Sequence, residues 1–292
     1  MPDSRSSGSR VPALLALHAA VVLFGFAGLF GKWLALPPVL IVLARAAIAA
    51  CALGALHAVS SRPRRPFDPR LAGVGAILAL HWVAFFASIQ VASVAIGLLG
   101  YASFPLFVLI LEKGLLGRRW STPEAATAAL VTVGLALLVP EFSLANRTLH
   151  GLAWGILSGF TFALLAVLNR RWSAERDAVA LAGWQNAWAA IALLPAAVWL
   201  GGVPALDARD VGLLLALGVV CTAGAHTLFI ASLRTVSAHT ASVVAALEPV
   251  YGIALALLLL DEIPGGRTLA GATLLVAAAL VASRRGRTIE PR

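Results

Sequence analysis

Apolar segments of about 17–24 residues follow one another along this chain with almost no interruption. They run over 11–33, 37–59, 71–90, 94–116, 122–140, 150–170, 178–200, 211–233, 236–260 and 267–283. At a rise of about 1.5 Å per residue, each matches a hydrocarbon layer of about 30 Å. Ala and Leu dominate, both good helix formers, and the alternation of a barrel strand is absent. The pattern predicts an all-α polytopic membrane protein with ten transmembrane helices. Only "QVAS" (90–93) separates the third span from the fourth, and only "RTVS" (234–237) the eighth from the ninth.

Composition agrees. Of 292 residues, 60% are hydrophobic and 12% charged, against about 25% charged in a soluble domain. The two cysteines, Cys51 and Cys221, fall inside apolar runs and suggest small hydrophobes, not a disulfide framework. No spaced histidine pair of the HExxH type occurs, so no metal site is expected. The formal net charge is +9, but the arginines gather between spans with no aromatic-interleaved basic face. Nucleic acid is therefore not an expected partner.

Those arginines carry topology instead. With an inside N-terminus, 17 of the 22 Lys/Arg fall on inside segments, including Arg62, Arg64, Arg65, Arg118, Arg119 and Arg284–Arg287. Outside segments hold Lys32, Arg147, Arg209 and Arg267. The positive-inside rule then places both termini, 1–10 and 284–292, in the cytoplasm. The first apolar run is too long for a signal-peptide core and is read as a retained span.

Shifting the chain by 144 residues lays "FFASIQVASVAIG" (85–97) over "FIASLRTVSAHTA" (229–241) and Pro105 over Pro249. A second match lays "LFGF" (23–26) over "LSGF" (157–160). Five spans per half make the second half enter the bilayer from the opposite side, an inverted repeat over 11–140 and 150–283. Such repeats enclose substrate sites near the midplane. Gly151, Gly155 and Gly159, spaced by four, form a stripe suited to close helix packing.

Polar residues inside the spans are the candidates for function. Glu248 is the sharpest, because an ionisable group in hydrocarbon is costly and marks a function by default. Pro249 beside it is expected to kink the ninth helix and free a carbonyl one turn back. Pro105 is expected to do the same in the fourth. Glu248 has three open readings: a proton carrier, a contact for a substrate ammonium, or a partner for Arg45. Arg45 either snorkels outward or faces the interior. Gln185 in the seventh span, with Asn186 and flanked by Trp184 and Trp188, is a candidate cavity lining. His81, Trp82, Tyr101, Phe104 and Tyr251 complete the expected substrate contacts. Asp261 and Glu262, at a helix exit, are expected to meet water.

Three stretches carry a family resemblance: Arg45 early in the second span, "SVAIGLLGYASFP" (93–105), and "SAHTASVVAALEPVYG" followed by "LLLLDEIPGGRTLAGATLLVAAALV". The chain resembles the ten-helix members of the drug/metabolite transporter superfamily, built from two EamA-type repeats. Within them it looks most like bacterial inner-membrane exporters of aromatic and other neutral amino acids. The resemblance implies a basket of helices around a central cavity, alternating access, a small-molecule metabolite as substrate, and no cofactor or covalent chemistry. Its motif positions fall on Arg45, Pro105, Glu248, Pro249 and Glu262, with Glu262 outside the central site. Protons are the candidate coupling ion, and the oligomeric state is left open. The rival readings are a channel or scaffold, which would need a polar stripe on several spans, and a membrane-embedded enzyme, which would need a clustered reactive set.

Overall fold

The computed structural model describes residues 5–59, 69–116, 122–138, 146–173, 177–232, 235–236, 244–245 and 247–285. Helices occupy every expected segment. The first three spans are Arg5–Trp33, Pro38–Val59 and Leu71–Val91, and the fourth comes in two pieces, Val94–Tyr101 and Phe104–Leu116. Thr122–Leu138, Arg147–Ser173 and Ala178–Trp199 follow. The eighth span runs through Ala208–Leu215, a π-helical stretch Ala216–Gly224, and Ala225–Ser232. Glu248–Leu260 and Gly266–Arg285 close the chain. Six of the spans are long and apolar enough to cross a bilayer alone, and four shorter apolar helices lie over 94–108, 126–138, 248–260 and 266–278. The arginine clusters at 62–65, 118–119 and 286–292, and the side chains of the tails, lie outside the described residues.

Helix ends are set by short polar side chains. Ser93 accepts a hydrogen bond from the Ile96 amide at 3.1 Å, Asp177 from Val179 and Ala180, and Asp207 from Asp210. Asp261 ends the ninth helix in the left-handed region, which Asp tolerates better than most residues. Apolar side chains such as Val198, Trp199 and Leu258 point outward, as lipid contact requires.

The helix pairings repeat when each span is exchanged for the one five places away. The third span packs on the sixth and seventh, while the eighth packs on the first and second. The fourth packs on the sixth as the ninth packs on the first. The pairs second–seventh, fourth–ninth and fifth–tenth map onto themselves. This pattern is consistent with two inverted five-helix repeats.

Glycines let these pairs close. A Cβ on Gly25 would lie 2.9 Å from the Gly252 amide nitrogen and 3.1 Å from the Glu248 carbonyl oxygen. In the other half, a Cβ on Gly159 would meet the Tyr101 carbonyl oxygen at 2.8 Å and the Phe104 nitrogen at 3.2 Å. The glycine stripe at 151, 155 and 159 thus lies along the fourth span and the turn before it, against Ala92, Gly100 and Ser103.

The two prolines do something other than kink. Pro105 and Pro249 each occupy the second position of a new helix, Phe104–Leu116 and Glu248–Leu260. In a first turn the missing amide has no intrahelical acceptor to lose, so proline is tolerated there. At Pro105 the expected bend in a continuous helix is therefore a break, and Pro249 stands at the start of its helix, with residues 237–243 and 246 outside the described residues. Before Pro105 the Ser103 amide bonds the Gly100 carbonyl, and before Pro249 the Leu247 amide bonds that of Val244.

Candidate functional site

Buried polar side chains converge between the spans. Arg45, His81, Ser158, Gln185, Asn186, Thr222, His226 and Glu248 are all buried. They form two adjoining groups.

The first is an aromatic box around the break in the fourth span. Tyr101 stacks on Phe104 with centroids 5.4 Å apart, and Phe162 meets both edge-on at 5.1 and 5.3 Å. His81 closes the box, 5.2 Å from Phe162 and 5.7 Å from Tyr101. Its Nδ1 lies 2.9 Å from the Ser158 hydroxyl oxygen and 3.0 Å from the Ser158 carbonyl oxygen. The Glu248 side chain lies beside Tyr101. Glu248 is 4% exposed and reaches this position from the first turn of its helix.

The second group surrounds Arg45. Gly218 brings the eighth span close to the second, where a Cβ would lie 2.6 Å from Ile48 and 3.3 Å from the Arg45 carbonyl oxygen. One turn on, Thr222 accepts a hydrogen bond from Arg45 Nε at 2.9 Å and donates to the Leu217 carbonyl five residues back. Both residues lie in the π-helical stretch Ala216–Gly224, a winding that recurs at functional sites. The guanidinium lies 4.1 Å from the Trp82 ring centroid and 5.4 Å from that of Phe86, a desolvated cation–π pair. Trp82 packs in turn against His226, and the Asn186 amide nitrogen lies 3.3 Å from His226 Nδ1.

Arg45 is 2% exposed, so of its two expected fates the interior one holds. Among the described residues it forms no ion pair with Glu248, and its Nε is held by Thr222.

Gln185 donates to Asn169, while its own carbonyl oxygen and that of Asn186 are buried without a hydrogen-bond partner. Trp184 and Trp188 do not join the aromatic box. They pack beside Ala49, Leu53 and Ala182. Tyr251 is half-buried against the main core.

Phe162, Phe86, Ser158 and Thr222 were not among the residues expected from sequence. Phe162 follows Ser158 by four and so shares its face, a spacing visible in "LSGFTF". Nothing in the sequence around Thr222 announces the π winding.

Glu262 also departs from expectation. Asp261 is exposed, but the half-buried Glu262 accepts a hydrogen bond from the Val94 amide at 3.2 Å, and its second oxygen has no hydrogen-bond partner among the described residues. Lys32 donates to the Ala92 carbonyl and Arg147 to that of Val91, each at 3.0 Å. Gln90 donates to Leu36 at 2.8 Å. The joint between the third and fourth spans is thus tied from several sides. Replacing Glu262 with alanine is expected to raise maleimide labelling of a cysteine placed at Ala92 several-fold, with Glu262→Gln intermediate. Unchanged labelling in both would show that these ties do not close that end.

Comparison with known proteins agrees with this architecture. The EamA-like transporter family matches residues 149–284. The pseudopaline exporters CntI of Pseudomonas aeruginosa strains UCBPP-PA14 and PAO1 are each 29% identical over 220 residues, 74% of this chain and 75% of theirs. An uncharacterized transporter of Archaeoglobus fulgidus is 26% identical over 217 residues, 74% of this chain and 77% of its own. These relatives are not named for amino acids, so the narrower likeness to aromatic amino acid exporters gains nothing from them. A protein of known crystal structure aligns over 97% of this chain and 100% of its own, with a TM-score of 0.68 and 23% identity, and so shares the fold. Ten helical membrane segments, polar and aromatic groups in the interior, and these likenesses make the chain a small-molecule membrane transporter whose residues 149–284 are similar to the EamA-like transporter family.

Proposed function

We propose that the chain is an inner-membrane exporter carrying small amphipathic metabolites, aromatic or other neutral amino acids first among them. The two five-helix halves, 11–140 and 150–283, move about the midplane and expose the site to each side in turn. One observation carries this reading. The fourth span is interrupted between Tyr101 and Phe104, these two rings pack with Phe162 and His81, and the buried Glu248 starts the helix Glu248–Leu260. Apolar ring faces with a few fixed polar atoms are the usual lining of a small-molecule site. The P. aeruginosa relatives favour a second reading, export of pseudopaline or a compound like it.

Counterflow in proteoliposomes decides between them. A labelled panel of neutral amino acids, with pseudopaline included, is expected to show saturable flux stimulated by unlabelled substrate on the far side. Non-saturating flux would indicate a channel, and no stimulated flux across the panel would defeat the proposal.

Glu248→Gln is expected to lower transport or alter its pH dependence, because the variant keeps the shape but holds no charge and carries no proton. Identical kinetics from mildly acidic to mildly basic pH, at normal expression, would remove Glu248 from the mechanism.

A further inference from the structure

We infer that the π-helical stretch Ala216–Gly224 is a switch within the eighth span, held in that winding by the hydrogen bond between Arg45 and Thr222. This rests on the transport reading above, for which it names a moving part. The stretch contains no proline, so every residue in it has the amide that an α-helix would use. Its flanks, Leu215 (φ −64°, ψ −46°) and Ala225 (φ −62°, ψ −44°), are ordinary helix. The span is thus unbroken, and nothing in its own sequence imposes so rare a winding. The hold comes from outside.

The second span supplies it. A Cβ on Gly218 would lie 2.6 Å from the Ile48 side chain, and Arg45, three residues before Ile48, donates its Nε to Thr222 at 2.9 Å. Thr222 makes a second bond that differs from its counterparts. Thr132, Thr161 and Thr273 each donate to the carbonyl four residues back, as threonine does in an α-helix. Thr222 donates to Leu217, five back, as expected where each turn holds one residue more. On the far face, Val219 and Val220 are 44% and 49% exposed, so rewinding meets no packed neighbour there. Return to α winding would turn the following segment about the helix axis, by about 100° for each residue taken out of the wide turns. That segment carries His226, 6.1 Å from the Trp82 ring, and Phe229, 6.2 Å from Phe162 in the aromatic box. Letting go of Thr222 therefore moves a ring against the box.

The test uses the purified full-length protein with Cys51→Ala and Cys221→Ala, spin-labelled through Val211→Cys and Ala231→Cys, two exposed positions on either side of the stretch. Electron–electron resonance reads the distance between the labels. Thr222→Val keeps the shape of the side chain and loses its hydroxyl, and is expected to add a second population displaced by several ångström. Thr222→Ser keeps the hydroxyl and should match the parent. An unshifted distance in Thr222→Val would overturn the inference, and so would the same shift in Thr222→Ser. Flux in proteoliposomes gives the second arm. Deleting the lipid-facing Val220 removes a residue from the wide turns and fixes the α winding. The variant is expected to fold and to lose about tenfold or more in flux, the scale of one hydrogen bond to a charged group. Wild-type flux from the deletion would show that the winding is not used. Should the deletion not fold, the Thr222 pair decides by label distance alone. If no probe of the panel is transported, the export reading fails while the label distances still judge the switch. Saturable flux with unshifted distances does the reverse.

Discussion

Replacing Gly25 with valine is expected to stop the chain from accumulating as a folded, monodisperse protein. The atoms a side chain would strike are the Gly252 nitrogen at 2.9 Å, the Glu248 carbonyl at 3.1 Å and the Gly252 Cα at 3.3 Å. All three are backbone, so no rotamer change can clear the space. The first and ninth spans would have to part, and the Glu248 backbone would move with them. Overpacking of a close-packed interior costs about 1–3 kcal/mol and sometimes more. A branched side chain against main chain should reach the upper end. Gly54 is the control, since a Cβ there has nothing within 4 Å. Size-exclusion profiles and thermal unfolding in detergent should show Gly54→Val close to wild type and Gly25→Val aggregated or strongly destabilised. A wild-type profile for Gly25→Val would mean that the two spans do not approach so closely.

The second large effect is expected from Arg45→Ala. Truncation removes the donor to Thr222 and takes a cation off the faces of Trp82 and Phe86. Leaving a buried polar group unsatisfied costs about 1–3 kcal/mol. Transport should fall more than tenfold, and the folded protein should lose stability. Transport in proteoliposomes and thermal unfolding in detergent that both match wild type would show that these contacts do not hold the second and eighth spans together.

Much of this architecture was legible beforehand, because bilayer thickness dictates segment length and few sequences satisfy it ten times. The buried Glu248 stood out for the same reason: hydrocarbon penalises charge, so an acid in a span needs a polar destination. What sequence concealed was what depends on neighbours. A proline says that an amide is missing. It does not say whether the helix bends through that point or stops and starts again. Gly159, pressed against the turn before Pro105, belongs to a span some fifty residues away. Thr222 became a ligand of Arg45 only because Gly218 lets its helix come near Ile48. The tryptophans at 184 and 188 looked like cavity lining because they flank an amide pair. On a helix, however, Trp184 points about 100° away from Gln185, and Trp188 packs against Gly75 of the third span.

The ties around Ala92 reach in from far along the chain: Lys32 from the first span, Arg147 from the start of the sixth, and Glu262 from beyond the ninth. A movement that parted the third span from the fourth would have to break bonds made by all three, so this end of the bundle yields as a unit or not at all.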